Sequence, residues 1–519
     1  MKKWYFLLSL GIILLAFIFR FQPLKVPFWV DEFSTAYQAN LLLKFGPSII
    51  SNPNYYFEHH NVTTHVLVAL FFQFFGQSEF AARFPLMIIG SFVPLLIFWL
   101  GKKVFDPLTG ITASVLSIFS YFMITWSRQA RGYVIQQLLV LLLFLTYFSI
   151  LESKRNRPFL LFLLGIIILL GTLTHIMFMI AFGTMILHFC IFHFSELKKF
   201  LKQPFFYLCI GIFFSIIWYV GILGQVGVQV ATIASGQLSN NLWYYHSFLW
   251  REYSLITFLG LIGLGLALIT KKRFAYLISL YFFLQFIFLC FFFGPYVSRY
   301  LLPLFPFLLL GVAYSLTYFT NALFKTQQKW KVPQQLQKAL PLILALLIIA
   351  NGDKFTLKPK SYYSVNHDFR EIAVIDYDQV YDLIKKKGEL DKGQTAVVDT
   401  WGDRLVWYLG TEFEGSYFFR WIDGQGLMKQ TSFSFNTQGE KVLGNRNQAK
   451  FMGELADLQL AMKKYPKGFI WIDDSSLPKE VLDFAEANFH KELVLDHYTL
   501  DDNPYSIWPG TLYSWGISL

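Results

Sequence analysis

Acid is what this sequence lacks over most of its length. Of its 33 Asp and Glu residues, only Asp31, Glu32, Glu58, Glu79, Asp106, Glu152, Glu196 and Glu252 precede Asn351, and the rest crowd into the last third. Cysteine is nearly absent as well: Cys190, Cys209 and Cys290 all sit in apolar runs, with no Cys-x-x-Cys spacing, which excludes a disulfide framework or a cysteine metal centre. No Gly-rich phosphate loop follows any strand-like run, so nucleotide binding has no support. What is present in excess is apolar surface, at 55% hydrophobic and 15% charged residues, beyond the range of an ordinary soluble domain. The expected fold class is a mainly α membrane protein over residues 1–351, with an outer loop at 22–83, followed by a soluble α/β domain over 352–519.

The net charge of +11 does not point to nucleic acid, because the basic excess falls in short clusters between apolar runs. Runs long enough to cross a bilayer, about 17–25 residues, lie near 4–21, 84–101, 108–126, 132–151, 158–175, 176–194, 204–223, 252–270, 274–293, 299–320 and 336–351, predicting about eleven spans. The shorter run Val62 to Gly76 is read as an interfacial helix, since that choice places 17 of the 25 basic residues before Asn351 on one side. The positive-inside bias makes that side cytoplasmic, puts the N-terminus with it, and sends the C-terminal domain to the extracytoplasmic side. The opening apolar run is read as a retained span, no small-x-small cleavage site following it.

This topology collects the rare acids and the non-topological arginines on the outer face. Asp31 and Glu32, in Phe28-Trp29-Val30-Asp31-Glu32-Phe33, suit general-base work at a hydroxyl or amine; on spacing alone a solvated helix N-terminus with two dipole-favoured acids is the plainer account. Tyr56, Glu58 and His59, beside His60, offer carboxylate and imidazole for a divalent metal, without the spacing of a known metal motif; a hydrated loop is the plainer account. Arg128 and Arg131, in Ser127-Arg128-Gln129-Ala130-Arg131-Gly132-Tyr133, run against the positive-inside bias and have the planar fork that grips phosphate. Snorkelling to lipid headgroups is the competing account. Arg299, in Ser298-Arg299-Tyr300 at the start of a span, joins a guanidinium to a helix dipole, or serves as an interfacial anchor.

In the tail, apolar residues recur at helical spacing from Asp368 to Lys387, Thr395–Asp399 and Gly468–Asp473 read as buried strands, Pro478–Asn488 as a helix and Leu493–Leu500 as a strand. Their alternation predicts a small α/β domain with some parallel pairing.

In order, FWVDEFSTAYQANLLLKFG, YYFEHHNVTTHVLVALFFQFFGQSEFAARFPLMIIG, SRQARGY and SRYLLPLFP resemble the GT-C glycosyltransferases that use a polyprenyl-phosphate sugar. The particular likeness is to glycosyltransferase family 39, which holds protein O-mannosyltransferases and lipid A aminoarabinose transferases. The resemblance implies a GT-C transmembrane domain and inverting transfer of a sugar to a glycan, lipid or protein acceptor on the outer face. It also implies Asp31 as the catalytic acid with Glu32 completing the pair, Glu58 and His59 on the acceptor or phosphate side with Tyr56 beside them, and Arg128, Arg131 and Arg299 on the lipid phosphate. No cofactor beyond an optional divalent metal at Glu58 and His59 is implied. The chain departs from relatives at Gln129, where they often carry an acid, and at His59-His60-Asn61, where they often carry Lys-Pro-Pro or His-Pro-Pro.

Two other readings stay open from the residues. A lipid-linked glycan polymerase or ligase would use the same outer chemistry. A polytopic transporter would call for charged or broken helices at mid-membrane and a repeated half, neither of which stands out here.

Overall fold

The computed structural model describes residues 3–21, 27–52, 54–55, 57–58, 61–152, 156–193, 211, 214, 239–270, 273–294, 296–326, 333–359, 375–410, 413–419, 433–443, 449–473, 477–495 and 510–517. They fall into two compact units. One comprises Met1–Leu24, His59–Leu67 and Phe80–Glu371; the other comprises Lys25–Glu58, Val68–Glu79 and Ile372–Leu519.

The first unit is helical. Its elements are α1 (Lys3–Arg20), most of α4 (Glu79–Val104), α5 (Pro107–Phe119), α6 (Tyr121–Ser127), α7 (Tyr133–Glu152), α8 (Arg157–Thr174) and α9 (Phe178–Phe192). It continues with α10 (Leu242–Glu252), α11 (Ser254–Ile269), α12 (Arg273–Phe291), α13 (Phe305–Thr326) and α14 (Gln334–Asn351). Helices α2 (Val30–Phe45) and α3 (Val62–Phe75) lie in the segment between α1 and α4.

The expectation of about eleven spans is corrected. Among the described residues five helices, α4, α7, α8, α12 and α13, are long and apolar enough to cross a membrane, or six if α10 and α11, bent by 108°, count as one span. This is a multi-pass integral membrane protein with fewer membrane-length helices than its apolar runs suggest. The reason is that an apolar run is not always one helix. The run 108–126 divides at Ser120, which leaves helical geometry to form an antiparallel bridge with Phe355. The run 252–270 gives the 16-residue α11 behind the bend at Tyr253, and the run 176–194 gives the 15-residue α9. The end runs give apolar helices Trp4–Arg20 and Gln335–Asn351, just short of span length, and the run 204–223 lies outside the described residues. Val62–Phe75 does form a helix, too short to span.

Two contacts hold this unit at its breaks. Beyond α14 the chain folds back so that the Lys354 carbonyl accepts from Tyr121 N–H at 3.0 Å and Thr356 N–H donates to the Phe119 carbonyl at 3.0 Å. These bonds satisfy the backbone groups that the α5–α6 break releases. The Lys354 ammonium then meets the buried Glu252 carboxylate at 2.7 Å, at the α10–α11 bend, where Arg251 adds a 2.6 Å contact. Elsewhere α11 and α13 approach at backbone distance: a Cβ on Gly263 would lie 1.8 Å from the Gly311 carbonyl oxygen, and one on Gly311 would lie 2.3 Å from that of Gly260. Small residues permit such approach where no hydrophobic drive exists between helices in lipid.

The second unit contains one eight-stranded sheet, ordered β3-β4-β5-β2-β1-β6-β8-β7. Its strands are β1 (Thr395–Asp399), β2 (Ser416–Phe419), β3 (Phe433–Phe435), β4 (Lys441–Leu443), β5 (Ala449–Met452), β6 (Lys467–Ile472), β7 (His490–Leu495) and β8 (Gly510–Trp515). β1 pairs parallel with both β2 and β6, and β2 with β5; the outer pairings are antiparallel. All five residues of β1 are buried, as a central parallel strand covered on both faces requires. Its helices are α15 (Tyr377–Gly388), α16 (Gly402–Leu409), α17 (Leu455–Lys464) and α18 (Lys479–Asn488). The expected strands at 395–399 and 468–473 and the helix at 478–488 fall on β1, β6 and α18, while residues 368–374 and 496–500 of the expected end elements lie outside the described residues.

Two stability outcomes follow from these contacts. Gly263→Ala should cost about 1–3 kcal/mol, the range for overpacking a filled core, and lower the melting temperature in detergent; an unchanged melt would contradict the close α11–α13 approach. Lys354→Met should cost about 1.5–3 kcal/mol, the range for losing one charged hydrogen-bond partner while Arg251 still meets the Glu252 carboxylate, and adding Glu252→Gln should return most of that loss in the same thermal assay.

Candidate active site

In the second unit, α2 starts where Trp29 is extended and the Glu32 carboxylate reaches back to accept from the Trp29 backbone N–H at 3.0 Å. This is the return half of a capping box, which satisfies an amide the helix itself leaves open. Glu32 is only 1% exposed. The acidic pair is thus divided in role: Glu32 is built into the helix start, while Asp31 is half-buried on the open side. Along α2 the residues that keep some exposure recur every third position, at Asp31, Ser34, Tyr37 and Asn40, with the residues between them buried. Residues three apart are neighbours on a helix surface, so Asp31 and Ser34 lie side by side at the head of a part-open stripe that winds around α2 toward Asn40. Ser34, next on that stripe, donates its hydroxyl to Glu58 at 2.8 Å, which brings the Glu58 carboxylate to the same face.

The residues on either side of the pair are clamped by aromatic rings. Phe28 and Phe33, both fully buried, meet edge to face at 5.5 Å. Phe28 lies 4.9 Å from Trp407, and Phe33 lies 5.8 Å from Tyr377 and 6.0 Å from Tyr408. Trp407 in turn donates its indole N–H to Glu79 at 2.9 Å. Aromatic packing from α15 and α16 therefore fixes the start of α2.

In the first unit, Ser127 to Tyr133 link α6 to α7 as a buried connection. Arg128 and Arg131 are 8% and 7% exposed, so neither guanidinium extends over an outer surface as snorkelling would have it. Gly132 is required for close approach, because a Cβ there would come within 2.7 Å of Asn61 Oδ1 and Thr64 Oγ1 at the start of α3. Arg299 lies on a 3-10 turn, Ser298–Leu301, ahead of α13 rather than at the helix N-terminus itself. Its Nε donates to the Tyr133 hydroxyl at 3.0 Å, and its guanidinium lies 5.8 Å from the rings of Tyr133 and Tyr300. The two arginine-bearing motifs, far apart in sequence, are thus joined through Tyr133, two residues beyond Arg131.

His175 completes this cluster, with its ring 5.8 Å from both Tyr133 and Tyr300. Sequence reasoning missed His175 as a site residue because it closes an apolar run and belongs to no motif. The structural pairing of Glu252 with Lys354 was likewise unforeseen, although Glu252 carried one usable signal, an acid inside a region otherwise cleared of acid. Tyr56 and His59 lie outside the described residues. Among the described residues no three His, Cys, Asp or Glu side chains come together as a metal group.

Comparison with known proteins bears on the fold. The family model described as dolichyl-phosphate-mannose-protein mannosyltransferase matches residues 59–222, less than a third of the chain. No curated protein matches. Among solved structures, ArnT from Cupriavidus metallidurans in the apo state is similar at a TM-score of 0.59 and 9% identity, over 99% of this chain and 98% of that one. The same protein bound to undecaprenyl phosphate gives 0.55 at 9% identity, over 99% and 98%. The archaeal oligosaccharyltransferase AglB from Archaeoglobus fulgidus, in complex with an inhibitory peptide and a dolichol-phosphate, gives 0.56 at 12% identity, over 98% of this chain and 76% of that one. At such identities the shared property is architecture alone: this chain has the fold of these solved structures.

Proposed function

We propose that this protein is a membrane glycosyltransferase that moves a sugar from a polyprenyl-phosphate donor to an acceptor hydroxyl or amine on the extracytoplasmic face, with inversion at the anomeric carbon. The observation that carries this reading is the joining of SRQARGY to SRY through the Arg299–Tyr133 hydrogen bond, with Arg128 and Arg131 buried in a unit otherwise poor in charge. Ionisable groups inside a membrane domain mark substrate or ion sites, and the planar guanidinium fork suits phosphate. In two of the structures that share the fold the bound molecules are undecaprenyl phosphate and a dolichol-phosphate, and a lipid phosphate is the leaving group of the proposed reaction. The outer side holds no pool of nucleotide sugars, so a lipid must carry the donor there.

In the proposed displacement the acceptor oxygen or nitrogen attacks the anomeric carbon while the bond from that carbon to the phosphate oxygen breaks. Asp31, on the open stripe of α2, takes the acceptor proton. Glu58, drawn to that stripe by Ser34, orients the acceptor. Glu32 acts by fixing the first turn of the helix. The charge that develops on the departing polyprenyl phosphate is offset by Arg128, Arg131 and Arg299, preorganised so that no reorientation is needed during reaction.

Asp31→Asn keeps the shape and removes the base. It should lower transfer by about 10²–10⁴-fold, the usual contribution of a general base, while binding of polyprenyl phosphate to the purified protein stays as in the wild type. Full activity in this variant would reject the assignment. Arg299→Gln should instead weaken polyprenyl-phosphate binding, and unchanged binding would remove Arg299 from the donor site.

A further inference from the structure

The parallel core of the sheet has a point where strand order reverses. From β1 the chain passes through α16 to β2 on one side, and later returns to place β6 on the other side of β1. In open α/β sheets the crevice beyond the carboxyl ends of two such strands is where ligands bind. Here the crevice is filled from within. Arg404, on α16 and 1% exposed, donates from Nη2 and Nε to Asp399 at the end of β1, the Nε bond being 2.8 Å, and from Nη1 to Asp473 just past β6 at 2.6 Å. Asp399 also accepts from the Tyr381 hydroxyl and from Trp401 N–H at 2.9 Å; Asp473 accepts from the Thr400 hydroxyl at 2.8 Å and the Tyr377 hydroxyl at 3.2 Å. The guanidinium lies 4.2 Å from the centre of the Tyr377 ring.

A buried ionic triad is poor at adding stability, since apolar residues of similar volume often do as well or better. What it adds is fixed geometry: two strand ends, one short helix and one ring are locked to a single planar group. The parts it locks lead directly to the acidic pair. Tyr377, beneath the guanidinium, touches Phe33. One turn along α16 from Arg404, Trp407 packs on Phe28 and Tyr408 on Phe33. Trp407 is held on another side by Glu79 and by Phe72 at 6.0 Å.

We infer that Arg404 is a positioning residue for transfer: by locking α16 and Tyr377 to the ends of β1 and β6, it sets the rotation of the first turn of α2 and thereby the direction of the Asp31 carboxylate. The α/β domain then serves as a clamp on the reactive helix, its own ligand crevice closed by the same side chain. This inference rests on the reading of Asp31 as the base.

Arg404→Lys keeps the charge and loses the fork and the stacking plane. Single-turnover and steady-state transfer should show kcat lowered about tenfold or more, with KM for the acceptor and binding of polyprenyl phosphate unchanged. Amide hydrogen exchange should quicken in the first turn of α2 while β1 and β6 keep their protection; loss of protection through the whole sheet would mark a merely structural role and overturn the proposal. In the Asp31→Asn background, Arg404→Lys should cause no further loss of rate, because it acts through a group already removed; an additional tenfold loss would overturn it. If Arg404→Lys does not fold, Trp407→Phe, which keeps a ring against Phe28 and loses the bond to Glu79, should lower kcat several-fold at unchanged KM, and wild-type kcat would overturn the clamp. Full activity of Asp31→Asn alone would refute the base assignment and this inference with it, whereas an inactive Asp31→Asn beside a fully active Arg404→Lys would refute only the positioning role.

Discussion

Charge that leaves water must be matched where it stands, and both units of this protein are organised around that constraint. In the helical unit the Glu252–Lys354 pair sits where α10 turns into α11 and where the chain leaving α14 bridges the α5–α6 break. In the α/β unit the Asp399–Arg404–Asp473 triad sits where two parallel strands end. Each pair lies at an interruption of regular structure, because interruptions release backbone groups and leave room for long polar side chains. At these two places ionic contacts and interruptions of secondary structure go together.

That coupling explains which parts of the architecture were legible from sequence. The strands read at 395–399 and 468–473, which fall on β1 and β6, were visible because both faces of a central parallel strand are covered, which leaves an unbroken apolar run. Span number was not. An apolar run reports that a segment avoids water, and nothing in the run 108–126 announces that Ser120 will pair with Phe355, far along the chain. The bend at Tyr253 is equally silent, because the partner that stabilises it, Lys354, belongs to the segment after the last helix. Periodicity is a local property, whereas the breaks are set by contacts distant in sequence.

At the candidate site, exceptions to composition were the useful signal. Asp31, Arg128, Arg131 and Arg299 stood out as charges that neither topology nor solubility required. The partners of Arg299 did not stand out: Tyr133 and Tyr300 are aromatic residues in a chain that is 19% Phe, Trp and Tyr, so two more carry no information until the fold brings them beside its guanidinium. Glu32 shows the limit from the other direction. Adjacency to Asp31 suggested a shared chemical task, yet a helix carries neighbouring residues on different faces, and the structure turns Glu32 inward to the Trp29 amide.

The proposed displacement makes opposite demands on its two ends, and the division into units suits both. A leaving phosphate is best met by guanidinium groups, but a carboxylate that must take a proton loses basicity when a guanidinium touches it. The Arg404 triad shows both forces at work: the charge and hydrogen bonds of the guanidinium hold the Asp473 carboxyl below the usual range against the effect of burial, whereas at Asp399 burial outweighs the same guanidinium and pushes the carboxyl up. Asp31 belongs to the unit that contains Arg404 and stands on the part-exposed side of α2, where aromatic side chains pack on Phe28 and Phe33 to either side of the acidic pair. The arginines assigned to the phosphate belong to the other unit. In the proposed reaction, then, the base is steadied by aromatic packing at the start of α2, while the charge of the leaving phosphate falls to arginines.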